Sequence, residues 1–328
     1  MAKKSARSII FSLVGIFLIA LSTPSIAAKE PFDQWLSKLK VEARENGISQ
    51  TTIDSAFANV TLIEKVVKLD RKQPETVQTF QEYMAQRLPQ SLIDTGKTML
   101  NQNRALLEEV GRKYGVQPRF IVALWGVETR YGKYTGGFSV IDALTTLAYD
   151  NRRAAYFRKE LLLALKILDE DHIQLADMKG SWAGAMGQSQ FMPSSFVNFA
   201  VDFDADGRRD IWTTKADVFA SAANYLSKSG WKDDQTWGRE VQLPKDFDLS
   251  LVDLKIAKPM KEWEALGVTK IGGGPLPSRQ LVGSLVQPKG GKGQTFLVYD
   301  NYRTILKWNR STYFAMSVGH LADLIGDG

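Results

Sequence analysis

The sequence predicts a mainly helical α+β protein. A helical N-terminal part leads into a helical centre, followed by a small C-terminal β domain. Three observations carry this reading. Apolar residues recur at helical spacing from Pro31 to about Gly115 and again between Pro118 and Trp231. Beyond Trp231, Pro, Gly and short β-prone runs take over. From Ser311 to Ile325 a helical pattern returns, as expected of a segment that packs back on the centre. The expected divisions are 1–27 for a removable leader, 30–115 for the N-terminal helices, 116–232 for the centre, 233–298 for the β domain and 299–328 for the return.

Taken in order, the leader comes first. Lys3, Lys4 and Arg7 form a basic start, Ile9 to Leu21 is nearly all apolar, and Ser25-Ile26-Ala27 offers a small-x-small cut. This is the pattern of a secretory signal peptide cleaved near Ala27 or Ala28. The alternative, a retained anchor, needs about twenty apolar residues and has fewer. The chain has no cysteine, so a lipid-anchored form, disulfides and thiolate metal sites are excluded. In the N-terminal part Phe32, Trp35, Leu36 and Leu39 share a helix face. Ile53, Phe57, Val60 and Ile63 suggest further turns, and Leu88-Pro89 marks a break between Met84 and Val110. In the centre, Pro118 opens a helix expected to run through Tyr131 and end at Gly132. A second helix follows Asn151, with Phe157, Leu161, Leu165 and Leu168 in phase. A loop-rich segment, SWAGAMGQSQFMPSSF, and an acidic turn, DFDADG, come next. A third helix is expected from about Thr214 to Gly230, with Thr214 and Asp217 spaced as a capping box. The runs REVQLP, RQLVGSLVQP, TFLVYD and RTILKW read as strands, and the glycines at 272–274 and in Lys289–Gly293 as turns.

Composition narrows the chemistry. With 44% hydrophobic and 24% charged residues the chain is ordinary for a globular protein. The net charge is +6, of which the leader supplies three, so the mature part is only mildly basic. That suits a polyanionic wall surface, and without a basic stripe it argues against nucleic acid. Two histidines, His172 and His320, make a multi-histidine metal site implausible.

Glu128 stands out on residues alone. It lies four residues after Leu124 and eight after Phe120, on the apolar face of its helix. Burial there raises a carboxyl's pKa and keeps it protonated near neutrality, as a general acid requires. The plainer alternative is a buried glutamate paired with Arg130, Arg152 or Arg153.

Three ordered runs decide between these: GVETRYG at Gly126–Gly132, NRRAAYF at Asn151–Phe157 and GSWAGAMGQSQFMPSSF at Gly180–Phe196. Together they resemble the membrane-bound lytic transglycosylase B family, lytic murein transglycosylases with a lysozyme-like core. The likeness extends more weakly to the N-terminal helices and to KWNRSTYFAMSVG. It implies Glu128 as catalytic acid and base. It implies Ser181 and Gln190 at the sugars or the catalytic carboxylate, and Arg152 and Arg153 at the peptide or lactyl side of the substrate. It also implies the cleft aromatics Tyr225, Tyr302 and Trp308, with Tyr83 a weaker match. Trp308 stands where the family usually has tyrosine, so stacking is expected to persist and a phenolic hydrogen bond to be lost. Without the family, Tyr225, Tyr302 and Trp308 also read as core aromatics, Arg152 and Arg153 as helix-surface charges, and Ser181 and Gln190 as loop hydrogen-bonders. Small residues at Gly184, Ala185 and Gly187 would let a sugar approach the backbone.

The implied substrate is peptidoglycan glycan strands, cut between N-acetylmuramic acid and N-acetylglucosamine in the periplasm, with cell-wall synthesis or remodelling proteins as candidate partners. Glycosidases generally need two carboxylates. Asp142 and Asp150 are the nearest downstream, but the family manages with one glutamate, closing a 1,6-anhydro ring with the substrate's own C6 hydroxyl. A hydrolytic muramidase and a non-catalytic peptidoglycan-binding protein are the alternatives. No cofactor is implied as a requirement. Asp202, Asp204, Asp206, Arg208 and Asp217 form a candidate structural calcium set, opening as D-x-D-x-D-G but with Thr213 at the twelfth position. The side chains of Arg208 and Arg209 would oppose a cation there.

Overall fold

A computed structural model describes residues 30–71, 78–289 and 293–326. The expected signal peptide and most of the Lys289–Gly293 turn lie outside the described residues. The N-terminal part is six helices: α1 (Phe32–Glu45), α2 (Gln50–Phe57), α3 (Glu64–Arg71), α4 (Phe80–Arg87), α5 (Gln90–Gln102) and α6 (Arg104–Tyr114). Ser49 caps α2 by accepting from Thr52 N, and Thr79 with Glu82 closes a full capping box on α4. Pro89 starts α5 and separates it from α4, as its fixed φ and missing N–H require. Gly115, in the left-handed region, ends α6.

The centre holds α7 (Pro118–Thr129), β1 (Phe138–Ser139), α8 (Val140–Tyr149), α9 (Ala154–Asp169), β2 (Lys179–Gly180), α10 (Pro193–Phe199) and α11 (Lys215–Lys228). Sequence reasoning missed α8, and the reason is physical. From Val140 to Ala148 every residue except Asp142 is buried, so the helix has no polar stripe to give it a period. The Thr214 capping box does not form. Asp217 instead accepts from Phe203 N (2.7 Å) and Asp210 N (2.7 Å). Asp210 receives the Trp212 and Thr213 amides in its place.

The C-terminal part contains β3 (Gly238–Gln242), β4 (Lys258–Pro259), α12 (Met260–Ala265), β5 (Thr269–Lys270), β6 (Val282–Val286) and β7 (Thr295–Val298). These strands form an antiparallel sheet in the order β4-β6-β7-β3-β5. RTILKW is not a strand. It belongs to α13 (Asp300–Trp308), which is followed by α14 (Thr312–Gly326). Its Thr, Ile and Trp favour β locally, but Tyr302 and Ile305 fall on one helical face that is fully buried, and tertiary packing outweighs propensity.

Three apolar cores result, and they do not follow chain order. One gathers α5, α6, α7, α11, α13 and α14 with Phe296 and Val298 of the sheet. A second joins α1, α2 and Val66 of α3 to α8, α9 and the loop around Met186. The third fills the sheet around the fully buried Trp263. The N-terminal helices thus have no core of their own among the described residues and complete those of the centre. No helix among the described residues is long and apolar enough to cross a membrane.

Candidate active site

α7 runs through the middle of the first core. From Phe120 to Thr129 every residue is buried except Glu128, which keeps some exposed surface. The helix ends at Thr129, two residues earlier than its pattern suggests. Arg130 (φ 50°), Tyr131 (φ 61°) and Gly132 (φ 83°) are all left-handed. Two consecutive non-glycine residues there represent backbone strain that the surroundings must hold in place. The Tyr131 ring folds back against Gly126, close enough that a Cβ there would lie 2.7 Å from it, and its hydroxyl donates to Leu92 O at 2.9 Å. Thr129 Oγ1 donates to Gln188 O (3.0 Å) and accepts from Gly132 N (3.0 Å), pinning this end to the GQSQ loop.

The Glu128 carboxyl sits above a cavity of about 10 Å³ lined mainly by apolar side chains of α7 and α11, including Ile121, Leu124 and Phe219. That volume is at the lower limit for one water. Trp308 Nε1 donates to Glu128 Oε1 at 2.7 Å. The loop contributes Gln188 and Ser189. Gln188 accepts from Trp125 Nε1 (2.8 Å) and donates to Trp212 O (2.7 Å), while the buried Ser189 Oγ finds no partner among the described residues. Arg87, from α4, donates to Val127 O at 2.7 Å and places its charge near the carboxyl. Burial pushes the Glu128 pKa up to about 7, against the opposing pull of the Trp308 hydrogen bond and the Arg87 charge. Although residue Glu128 keeps some surface, its carboxyl is densely surrounded by protein, and the shift follows from those surroundings. A carboxyl with that proton affinity can give up and regain a proton near neutrality. Among the described residues no second carboxylate lines this cavity. Asp150 pairs with Arg71 (2.9 Å), and Asp142 lies in the first turn of α8, receiving Thr61 N at 3.4 Å.

Trp308 keeps aromatic contacts and, in place of a phenol, donates to the carboxyl from its indole N–H. It packs edge-on to Tyr225 (4.7 Å between ring centres) and near Phe191 (5.2 Å), and Tyr225 donates its hydroxyl to Lys307 O at 2.7 Å. Tyr302 departs from expectation: it is fully buried beside Trp237 and offers a sugar no exposed face. Six residues along α13 turn it to a different face from Trp308.

Arg152 and Arg153 do not pair with Glu128. Both hold the buried carboxylate of Asp70. Ser181 Oγ accepts from Ala183 N (3.2 Å) and Ala185 N (3.0 Å). Gln190 donates to Thr135 O (3.0 Å) and Gly187 O (2.9 Å), shaping the loop rather than touching Glu128. Gly184 and Gly187 are small for packing. A Cβ on the first would meet the Leu144 side chain at 2.4 Å and on the second Ile211 O at 2.6 Å. Tyr83 lies one helical turn before Arg87 and packs on Tyr313 (5.0 Å). Sequence reasoning missed Arg87, Trp125, Gln188 and Ser189. The last two lay inside a recognised motif, whereas nothing local marked Arg87.

In the acidic turn, carboxylate oxygens of Asp202, Asp204 and Asp217 lie within 4.8 Å of one another. Asp206 is outside the set and receives Arg208 N. Both arginines of this turn are drawn to other carboxylates. Arg208 turns to Asp171 (3.0 Å), and Arg209 to Glu170 (2.8 Å). Burial raises the Asp217 pKa to about 6, with the Asp204 and Asp202 charges adding to it.

The family described as "Transglycosylase SLT domain" matches residues 31–323. A membrane-bound lytic murein transglycosylase B of Escherichia coli (strain K12) is 36% identical over 239 residues, covering 71% of this chain and 63% of the relative. The match thus spans less than two thirds of that relative's length. The crystal structure of SltB3 from Pseudomonas aeruginosa in complex with NAG-NAM-pentapeptide superposes with a TM-score of 0.89 at 44% identity, over 91% of this chain and 80% of that one. The Escherichia coli lytic transglycosylase Slt35 in complex with calcium gives 0.76 at 29% identity, over 92% and 94%.

Proposed function

Because the chain belongs to the transglycosylase SLT-domain family, we propose that it is a lytic murein transglycosylase. It cleaves the β-1,4 bond between N-acetylmuramic acid and N-acetylglucosamine in peptidoglycan, with Glu128 as the single acid and base. The observation that carries this is one buried carboxyl with a pKa near 7, with no second carboxylate lining its cavity among the described residues. Glu128 protonates the glycosidic oxygen as the bond to C1 breaks. The carboxylate so formed then takes the proton of the muramyl C6 hydroxyl as that oxygen bonds to C1. The nucleophile is already part of the substrate, so proximity replaces an activated water. Tyr225 and the exposed side of Trp308 serve as platforms for the apolar faces of the sugars. The leader pattern and this substrate together support action in the periplasm.

Digestion of purified peptidoglycan in isotopically labelled water tests the reading. Fragments should end in unlabelled 1,6-anhydro-N-acetylmuramic acid, one water lighter than hydrolysis products. Reducing ends carrying label at C1 would instead make the protein a muramidase. Binding without any cleavage would make it a non-catalytic wall-binding protein.

Calcium fits the acidic turn as a structural ion held by Asp202, Asp204 and Asp217. Three like charges placed together, one of them buried, cost stability that a divalent cation relieves. A ligand at a hundred times its Kd adds about 2.7 kcal/mol, which is on the order of 5 °C in melting temperature for a chain of a few hundred residues. Calcium should produce that rise, chelator should reverse it, and Asp204→Ala should abolish it without reducing turnover of the folded protein. No shift with calcium and no effect of Asp204→Ala would make the turn an ordinary acidic loop.

A further inference from the structure

The last turn of α7 leaves carbonyls without partners inside the helix, as every helix C-terminus does. Arg130 N takes Gly126 O, Tyr131 N reaches back to Trp125 O, and Gly132 N goes to Thr129 Oγ1. Val127 O is met from outside, by Arg87 Nη2 at 2.7 Å. Arg87 ends α4, immediately before the Leu88-Pro89 break. A cation at this pole of the α7 dipole is favourable in itself. Two features go beyond helix capping. The Arg87 Nε is buried and has no partner among the described residues. The bonded carbonyl also belongs to the residue directly before Glu128, which brings the guanidinium charge to bear on the carboxyl. Among the described residues, the other side chains that line the cavity at that carboxyl carry no charge. α13 contributes the Trp308 indole, the loop Gln188 and Ser189, α11 Val218, Phe219 and Ala222, and α7 itself Ile121, Leu124 and Trp125.

We propose that Arg87 is a positioning residue for the acid: a fixed positive charge, anchored on the last turn of α7, that stabilises the Glu128 carboxylate once its proton has passed to the leaving oxygen. The assignment rests on the reading of Glu128 as general acid. Without this charge only the Trp308 hydrogen bond would oppose burial, and the proton would be released less readily.

Two substitutions in the full chain separate charge from capping. Arg87→Gln keeps an N–H donor for Val127 O and removes the charge, whereas Arg87→Lys keeps both. Initial rates on purified peptidoglycan are followed across pH. A general acid works only while protonated, so kcat/KM falls on the alkaline side as Glu128 ionises. In Arg87→Gln that limb should move to higher pH by about one unit, the lower end of the effect of a neighbouring opposite charge. In Arg87→Lys it should stay within a few tenths of the parent. An unmoved limb in folded Arg87→Gln, or an equal shift in Arg87→Lys, would reduce Arg87 to a helix cap and overturn the proposal. If Arg87→Gln does not fold, Arg87→Lys decides: an active protein with the parent's limb supports the role, and lost activity refutes it. If the parent itself shows no cleavage at any pH, the functional reading fails. The charge is then tested by carboxyl-labelled glutamate NMR, with Glu128→Gln as the blank. There Arg87→Gln should raise the Glu128 midpoint by the same unit, and an unchanged midpoint would overturn the proposal.

Discussion

Glu128→Gln is expected to abolish cleavage of peptidoglycan while leaving the fold and wall binding intact. Glutamine matches the volume and can still meet the Trp308 indole through its carbonyl oxygen, so the surroundings have no reason to rearrange. What is lost is the proton. Removing a general acid costs roughly 10²–10⁴ in rate, and more where the same group must also act as base. A variant that keeps more than a tenth of the parent's activity would end the assignment. The parent's activity should fall as pH rises through about 7, where the buried carboxyl ionises. Stability follows the same titration. The folded pKa lies above the ordinary 4.5, so the folded state holds the proton more tightly and parent stability declines between about pH 4.5 and 7. The glutamine variant does not titrate. Melting curves above pH 7 should therefore show it at least as stable as the parent, which separates lost chemistry from lost folding.

Trp308→Phe is expected to give the second largest loss. Phenylalanine keeps an aromatic face against Tyr225 and Phe191 but removes the N–H that meets Glu128 Oε1. Hydrogen bonds to charged groups contribute about 1.5–3 kcal/mol, and this one is strongest once the carboxyl is ionised, as it becomes during proton donation. The rate should fall by roughly ten- to a hundredfold, and the alkaline limb should move to higher pH because one of the influences that lowers the Glu128 pKa is gone. Trp308→Tyr should recover part of the loss, since a phenol can also donate. Full activity in Trp308→Phe would show that the indole serves only as a platform.

These two residues show where the sequence was legible. Glu128 was visible because its signal is local: a charged residue in phase with Phe120 and Leu124, inside a recognisable run. The helical character of α1, α9, α11 and α14 and the strands β3, β6 and β7 were legible for the same reason, each carrying its own period or β-prone run. The environment of Glu128 was not legible. Trp308 is 180 residues away in the chain and Arg87 approaches through the neighbouring Val127 carbonyl, and neither contact leaves a periodic trace. Tyr302 and Trp308 looked equivalent as letters, and only the helical nature of α13 sends one into the core and the other to the carboxyl. Asp217 fitted a capping spacing, yet its oxygens answer to the amides of Phe203 and Asp210, a choice made by loop closure.

The way α14 lies along α7, with Trp308 just before it, bears on when the protein becomes competent. Part of what surrounds Glu128 arrives late in synthesis, because Trp308 and α14 follow the other elements around it. A nascent chain that has reached α11 already carries the motif, but its glutamate lacks the indole, and α7 still presents a wet flank where α14 will lie. Such a chain lacks part of the burial that raises the carboxyl's pKa and the N–H that meets the carboxylate. Completion of the final helices therefore closes the surroundings in which the carboxyl holds its proton and is stabilised once it gives it up.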